Sequence, residues 1–124
     1  MHFDSFPFGR KAAAVVLAAT VSSAAFAHAH LAKSDPAANA AVAVAPAVVT
    51  IDFTEPLEPA FSSIVVADGE GKTVSDGRAR IDASNRKRMT VPLAAIGSGA
   101  YTVKWVAVAT DGHRTQGAYG FSVK

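Results

Sequence analysis

Residues 101–110 alternate in character. Tyr101, Val103, Trp105, Ala107 and Ala109 fall on one side of an extended chain, and Thr102, Lys104, Val106 and Val108 fall on the other. Successive side chains of a strand point to opposite faces, so this spacing predicts a strand with one face against a core. A helix would scatter the same residues around its circumference. Such a strand needs partners, and the chain offers several short runs of matching character. These are 48–53 (Val-Val-Thr-Ile-Asp-Phe), 63–68 (Ser-Ile-Val-Val-Ala-Asp), 78–82, 88–93 and 116–123, the last with Tyr119, Phe121 and Val123 on one face. Gly69–Gly71 reads as a turn, after which Lys72 to Val74 starts a return strand. The polar run Ala83-Ser84-Asn85-Arg86 joins two of the candidates. Short strands punctuated by Gly, Pro, Asn and Asp predict an all-β chain, a small antiparallel sandwich or barrel. Residues 37–47 are rich in alanine but are bracketed by Pro36 and Pro46, and Val42 and Val44 alternate with Ala. We read them as loop or irregular strand. Tyr101 and Trp105 are expected to be core or half-buried residues, not a ligand platform.

The N-terminal stretch stands apart from this pattern. Arg10 and Lys11 precede a run from Ala12 to Phe26 that is almost wholly small or apolar, and Ala25 and Ala27 stand at −3 and −1 of a cut before His28. That is the three-part pattern of a secretory signal. The run is short and alanine-rich for a membrane span, which needs about 20 apolar residues. Residues 1–27 are therefore expected to be a cleaved signal peptide, and 28–124 one small domain with no internal repeat. Ala27-His28-Ala29 is also a cleavage pattern, and a cut there leaves His30 first. Either cut gives an N-terminal histidine.

Charge and cysteine usage narrow the chemistry. Lys and Arg number 12 against 10 Asp and Glu, and the pI is about 9.2. Arg10, Lys11 and Asp4 all precede the cut, so the remaining domain is close to neutral and nothing in it suggests nucleic acid. Arg86-Lys87-Arg88 is its one basic run and reads as a solvated turn. There is no cysteine, so thiolate-based zinc-finger, iron–sulfur and blue-copper sites are ruled out. An exported domain without disulfides relies on its core. Past the signal, Met89 is the only methionine, a poor basis for a thioether site.

Of four histidines, His2 leaves with the signal. The others fall in two short segments, His28-Ala29-His30 at the new terminus and Asp111-Gly112-His113 near the end. An N-terminal histidine can chelate one ion through its α-amine and its own Nδ1. The amine has an ordinary pKa of about 7.7–8.0, so a competing metal displaces its proton at modest cost. Imidazole must also be neutral to bind, so affinity should fall in acid. Asp111 adds an anionic oxygen, and Gly112 lets the backbone turn near an ion without a side chain in the way. Amine, imidazole and carboxylate together suit Cu(II), which also tops the order of divalent affinities. The alternative is structural: Asp-Gly is a common hairpin corner and His-Ala-His a frayed terminus. Ligand type alone leaves Ni(II) and Zn(II) open.

The chain resembles the CopC/PcoC family of periplasmic copper-binding proteins. The residues carrying the resemblance are His28-Ala29-His30-Leu31, Ser34-Asp35-Pro36-Ala37, Phe53-Thr54-Glu55-Pro56-Leu57, Gly99-Ala100-Tyr101-Thr102-Val103-Lys104-Trp105, Asp111-Gly112-His113, Gly117 and Phe121-Ser122-Val123. In that family the opening histidine stands three residues before the leucine, which favours His28 as the terminus. The resemblance implies a Greek-key β-barrel or sandwich of cupredoxin-like or immunoglobulin-like type. It implies one Cu(II) ion held by His28, Asp111 and His113, with His30 an additional or weaker ligand. It also implies that Glu55 orients the terminal amine by a hydrogen bond; the alternative for Glu55 is a surface residue before Pro56. The chain has no Met-rich run, unlike members that bind Cu(I), so a Cu(II)-only type is expected.

The function this implies is not enzymatic. The chain would sequester Cu(II) in the periplasm or deliver it to a separate inner-membrane copper importer of the CopD type, acting as a monomer. Two rivals differ in class. A terminal histidine with a second histidine is similar to the histidine brace of copper monooxygenases, though a carboxylate ligand would fill a position that oxygen activation prefers open. The other rival is a β-sandwich interaction module with an incidental N-terminal histidine.

Overall fold

The computed structural model describes residues 28–124; the expected signal peptide lies outside the described residues. Eight strands follow in order: β1 (Leu31–Asp35), β2 (Ala41–Val42), β3 (Val48–Phe53), β4 (Ser63–Asp68), β5 (Arg80–Asp82), β6 (Asn85–Pro92), β7 (Gly99–Val108) and β8 (Arg114–Val123). They form two four-stranded sheets, ordered β1-β3-β6-β5 and β2-β8-β7-β4. The architecture is a β-sandwich, not a closed barrel. Among the described residues no helix is long and apolar enough to cross a membrane.

The alternation read from the sequence becomes the core. In β3, Val49, Ile51 and Phe53 are buried while the residues between them are not. From the facing sheet come Ile64 and Val66 of β4, Tyr101, Val103 and Ala107 of β7, and Phe121 and Val123 of β8. Fully burying a side chain such as Ile51 or Leu57 contributes about 1.5–3 kcal/mol relative to leaving it exposed. Tyr101 stacks on Phe121, its cross-strand partner, with ring centroids 5.4 Å apart. Its hydroxyl donates to the Gly97 carbonyl at 2.8 Å. Phe53 of one sheet meets Trp105 of the other edge to face at 5.2 Å. Tyr101 is buried and Trp105 half-buried, as the alternation requires. Trp105 pairs with Gly117, where a Cβ would stand 2.6 Å from a ring carbon of the tryptophan. Only a residue without a side chain lets the indole lie across β8 at that point.

Several elements depart from the sequence expectation. Leu31–Asp35 is a strand not expected from its residues alone; it pairs antiparallel with β3. In 37–47, Ala41 and Val42 do form a strand, and it runs parallel to the end of β8. The antiparallel order therefore holds for every named pair but this one. Lys72 to Val74 makes no strand, only a single bridge from Thr73 to Ala67. On β6 the strand begins at Asn85, inside the run read as a connection, and ends at Pro92. The outer face of β3 and β6 carries a cross-strand ion pair, Arg88 to Asp52, with contacts of 2.7 and 3.1 Å.

One end of the sandwich gathers three segments. The β7–β8 hairpin turns there through residues 109–113. The connection after β3 lies beside it: Leu57 bridges Ala109, and the Thr110 N–H donates to the Pro56 carbonyl at 3.2 Å. Ser62 fastens the far side of that connection, its hydroxyl accepting the Val108 N–H at 3.0 Å. The third segment is residues 28–30, which lead into β1.

Candidate metal centre

The hairpin supplies Asp111 and His113 in a fixed relation. The Gly112 N–H donates to the Ala109 carbonyl at 2.8 Å, and the Ala109 N–H donates to the His113 carbonyl at 2.9 Å. Gly112 has a φ of 92°, a left-handed conformation that glycine adopts without steric cost. The tight corner leaves residues 111 and 113 on the same side. The His113 N–H donates to Asp111 Oδ1 at 2.9 Å, and His113 Nδ1 lies 3.1 Å from Asp111 Oδ2. The backbone N–H of His113, followed by its side chain, holds the Asp111 carboxyl below the ordinary carboxylate value. Asp111 is thus a stable anion at neutral pH. Both side chains stay accessible, at 45% for His113 and 42% for Asp111.

The N-terminal segment comes to the same place. The rings of His28 and His113 stand 4.9 Å apart, edge to face. His30 is exposed, and its ring lies 6.1 Å from that of His28. Ala29, between them, is wholly buried. Two threonines hold the intervening backbone. Thr54 Oγ1 accepts the His30 N–H at 2.9 Å and donates to the His28 carbonyl at 3.2 Å. The Thr54 N–H donates to the His30 carbonyl at 2.9 Å. Thr115 Oγ1 donates to the Ala29 carbonyl at 2.6 Å.

The fold therefore brings the segment carrying His28 and His30 to Asp111 and His113, more than 80 positions away in sequence. Among the described residues, no three His, Asp or Glu side chains already converge on one point as a finished metal cage. In this chain the nitrogen of His28 is a peptide amide joined to Ala27; the chelate expected from a terminal histidine needs that bond cut. Glu55 is half-buried at the same corner. It follows Thr54, which holds the N-terminal segment, and precedes Pro56, which receives the Thr110 N–H. Sequence reasoning did not single out Thr54, Thr115 or Ala29. Thr54 lay inside the Phe53-Thr54-Glu55-Pro56-Leu57 run, but nothing in a lone hydroxyl announces a backbone partner so distant in sequence.

Residues 31–124 match the model of the CopC domain. This chain belongs to the CopC family. The matched span opens at Leu31 and takes in Asp111 and His113, with His28 and His30 just outside it. The chain is 39% identical to "Protein YobA" of Escherichia coli K12 over 116 residues, covering 93% of this chain and 94% of that one. It is 32% identical to "Copper resistance protein C" of Xanthomonas campestris pv. juglandis, covering 89% of this chain and 91% of the relative. The fold matches the crystal structure of CopC from Methylosinus trichosporium OB3b with a TM-score of 0.74 and 35% identity, over 78% of this chain and 94% of that one. It also matches PcoC, a methionine-rich copper resistance protein from Escherichia coli, with a TM-score of 0.71 and 32% identity, over 79% and 100%.

Proposed function

We propose that this protein binds Cu(II) in the periplasm, sequestering it or delivering it to an inner-membrane copper transport partner of the CopD type. Copper is the cargo, one ion per chain, and the activity is binding and transfer, not turnover. The observation that carries the reading is the meeting of His28 with His113 at 4.9 Å, beside a carboxylate already fixed on His113. Relatives named for copper resistance and copper transport support it.

In this reading the signal is cut before His28, and the freed amine joins the His28 imidazole, His113 and Asp111 around the ion. Nitrogen and carboxylate donors without thiolate favour Cu(II) over Cu(I), and Met89 is buried in the core, away from any soft-ligand role. His30 is an additional or weaker ligand. Glu55, at the same corner, orients the terminal amine by a hydrogen bond. The protein acts as a monomer.

The test is a Cu(II) titration of protein beginning at His28, read by electron paramagnetic resonance against a competing chelator. One tight equivalent with a tetragonal, nitrogen-rich spectrum is expected. Weak or multiple binding would make the histidines incidental and leave an interaction module as the better account.

A further inference from the structure

We infer that Thr54 and Thr115 are positioning residues for the copper-binding terminus: with the buried Ala29 they clamp residues 28–30, holding His28 against His113 before any metal arrives. The inference rests on the reading of His28 as the terminal copper ligand. Residues at a chain end ordinarily fray unless something ties them down. Here the ties reach every residue of the tripeptide. Thr54 Oγ1 spends both its donor and an acceptor position on the segment, bonding the His28 carbonyl and the His30 N–H. Its own N–H donates to the His30 carbonyl. Thr115 Oγ1 has two carbonyls in reach, Ala29 at 2.6 Å and Ala107 at 3.5 Å. A hydroxyl carries one proton, and the shorter contact takes it.

The two threonines come from opposite sheets. Thr54 follows β3 directly, and Thr115 lies on β8. Ala29 is buried between them with no exposed surface, so the segment cannot slide by one residue without driving a histidine into the core. The clamp thus fixes register as well as position. Ordering a flexible ligand arm costs conformational entropy, which otherwise counts against metal affinity. Here folding meets that cost in advance. Groups that orient ligands in this way typically alter metal affinity by 10- to 100-fold when removed.

The experiment uses protein beginning at His28 with the variants Thr54→Val, Thr54→Ser, Thr115→Val, Thr115→Ser and His113→Ala, and Cu(II) itself as probe. Each valine variant should bind about tenfold more weakly, and each serine variant, which keeps the hydroxyl, should bind close to the parent. Hydrogen exchange of the His30 amide in metal-free protein gives a readout independent of copper. It should be slow in the parent and in Thr54→Ser, and fast in Thr54→Val. Valine variants that keep full affinity while His113→Ala loses it would overturn the clamp and leave the copper site standing. Full affinity in His113→Ala would overturn the site and the clamp with it. Fast exchange at His30 in the unsubstituted protein would overturn the clamp even if a valine variant failed to fold.

Discussion

Both carboxylate oxygens of Asp111 face His113, one toward its backbone N–H at 2.9 Å and the other toward Nδ1 at 3.1 Å. The carboxylate thus sets the imidazole's orientation whether or not it also touches the ion. Asp111→Ala and His113→Ala are each expected to weaken Cu(II) binding at least tenfold. His30→Ala should cost less, because the His30 ring lies 6.1 Å from that of His28, against 4.9 Å for His113. Chelator competition on the three variants measures the order. Equal losses at all three would make His30 a full ligand.

Protein retaining one extra residue ahead of His28 should bind Cu(II) weaker by orders of magnitude. The added peptide bond converts a basic amine into an amide, which is a donor only after losing a far less acidic proton, and moves the free amine one residue out of place. Binding by the properly cut form should also weaken in acid, because protons compete for the amine and the imidazoles. Titration of the two forms across pH checks both statements. Equal affinities would remove the amine from the site.

Gly117→Ala tests the packing behind the centre. The new methyl would stand 2.6 Å from the Trp105 ring. The indole would have to move, and Trp105 is in contact with Phe53 across the sandwich. Overpacking of this kind costs about 1–3 kcal/mol. A lowered thermal midpoint with altered tryptophan emission is expected, and unchanged values of both would show that the ring relocates freely.

The Asp52–Arg88 pair predicts a specific acid response. The Arg88 guanidinium holds the Asp52 carboxyl below its ordinary value of 3.8. A group depressed on folding stabilises the native state above its unfolded pKa, and that contribution is lost as pH falls through the folded value. Arg88→Met should therefore reduce stability at neutral pH and narrow the difference from the parent below about pH 3.8. The pair is partly exposed, so the effect should be small and screened by salt. Denaturant unfolding of the two proteins at pH 7 and pH 2.5 checks it; parallel stability at both values would show that the pair contributes nothing.

The sandwich was legible wherever a strand has one face on the core. β3, β4 and the first half of β7 alternate because every second side chain is buried, and β8 does so at Phe121 and Val123; in β7 the alternation ends at Val108, expected on the outer side but buried beside Ala107. β1 was not, because Leu-Ala-Lys-Ser-Asp presents one large apolar residue and becomes a strand only by pairing with β3. β2 was not, because two residues carry no period and the pairing with β8 defines them. At the candidate site, His28, His30, Asp111 and His113 stood out because every histidine past the expected cut falls in two short segments, and the family resemblance pointed to the same residues. Thr54 and Thr115 did not stand out, since threonine is common and the hydrogen bond from Thr115 to Ala29 spans 86 positions. No local pattern encodes a bond of that range.

The parallel pairing of β2 has a consequence for solubility. β8 would otherwise end its sheet with bare N–H and carbonyl groups, a template on which a second molecule can add a strand. The Ala40 carbonyl takes the Ser122 N–H, the Val42 carbonyl takes the Lys124 N–H, and the Asn39 N–H fills the Gly120 carbonyl. An unremarkable alanine-rich stretch thereby shields the C-terminal half of that border from self-assembly, in a domain that has no disulfide to resist the opening from which aggregation starts.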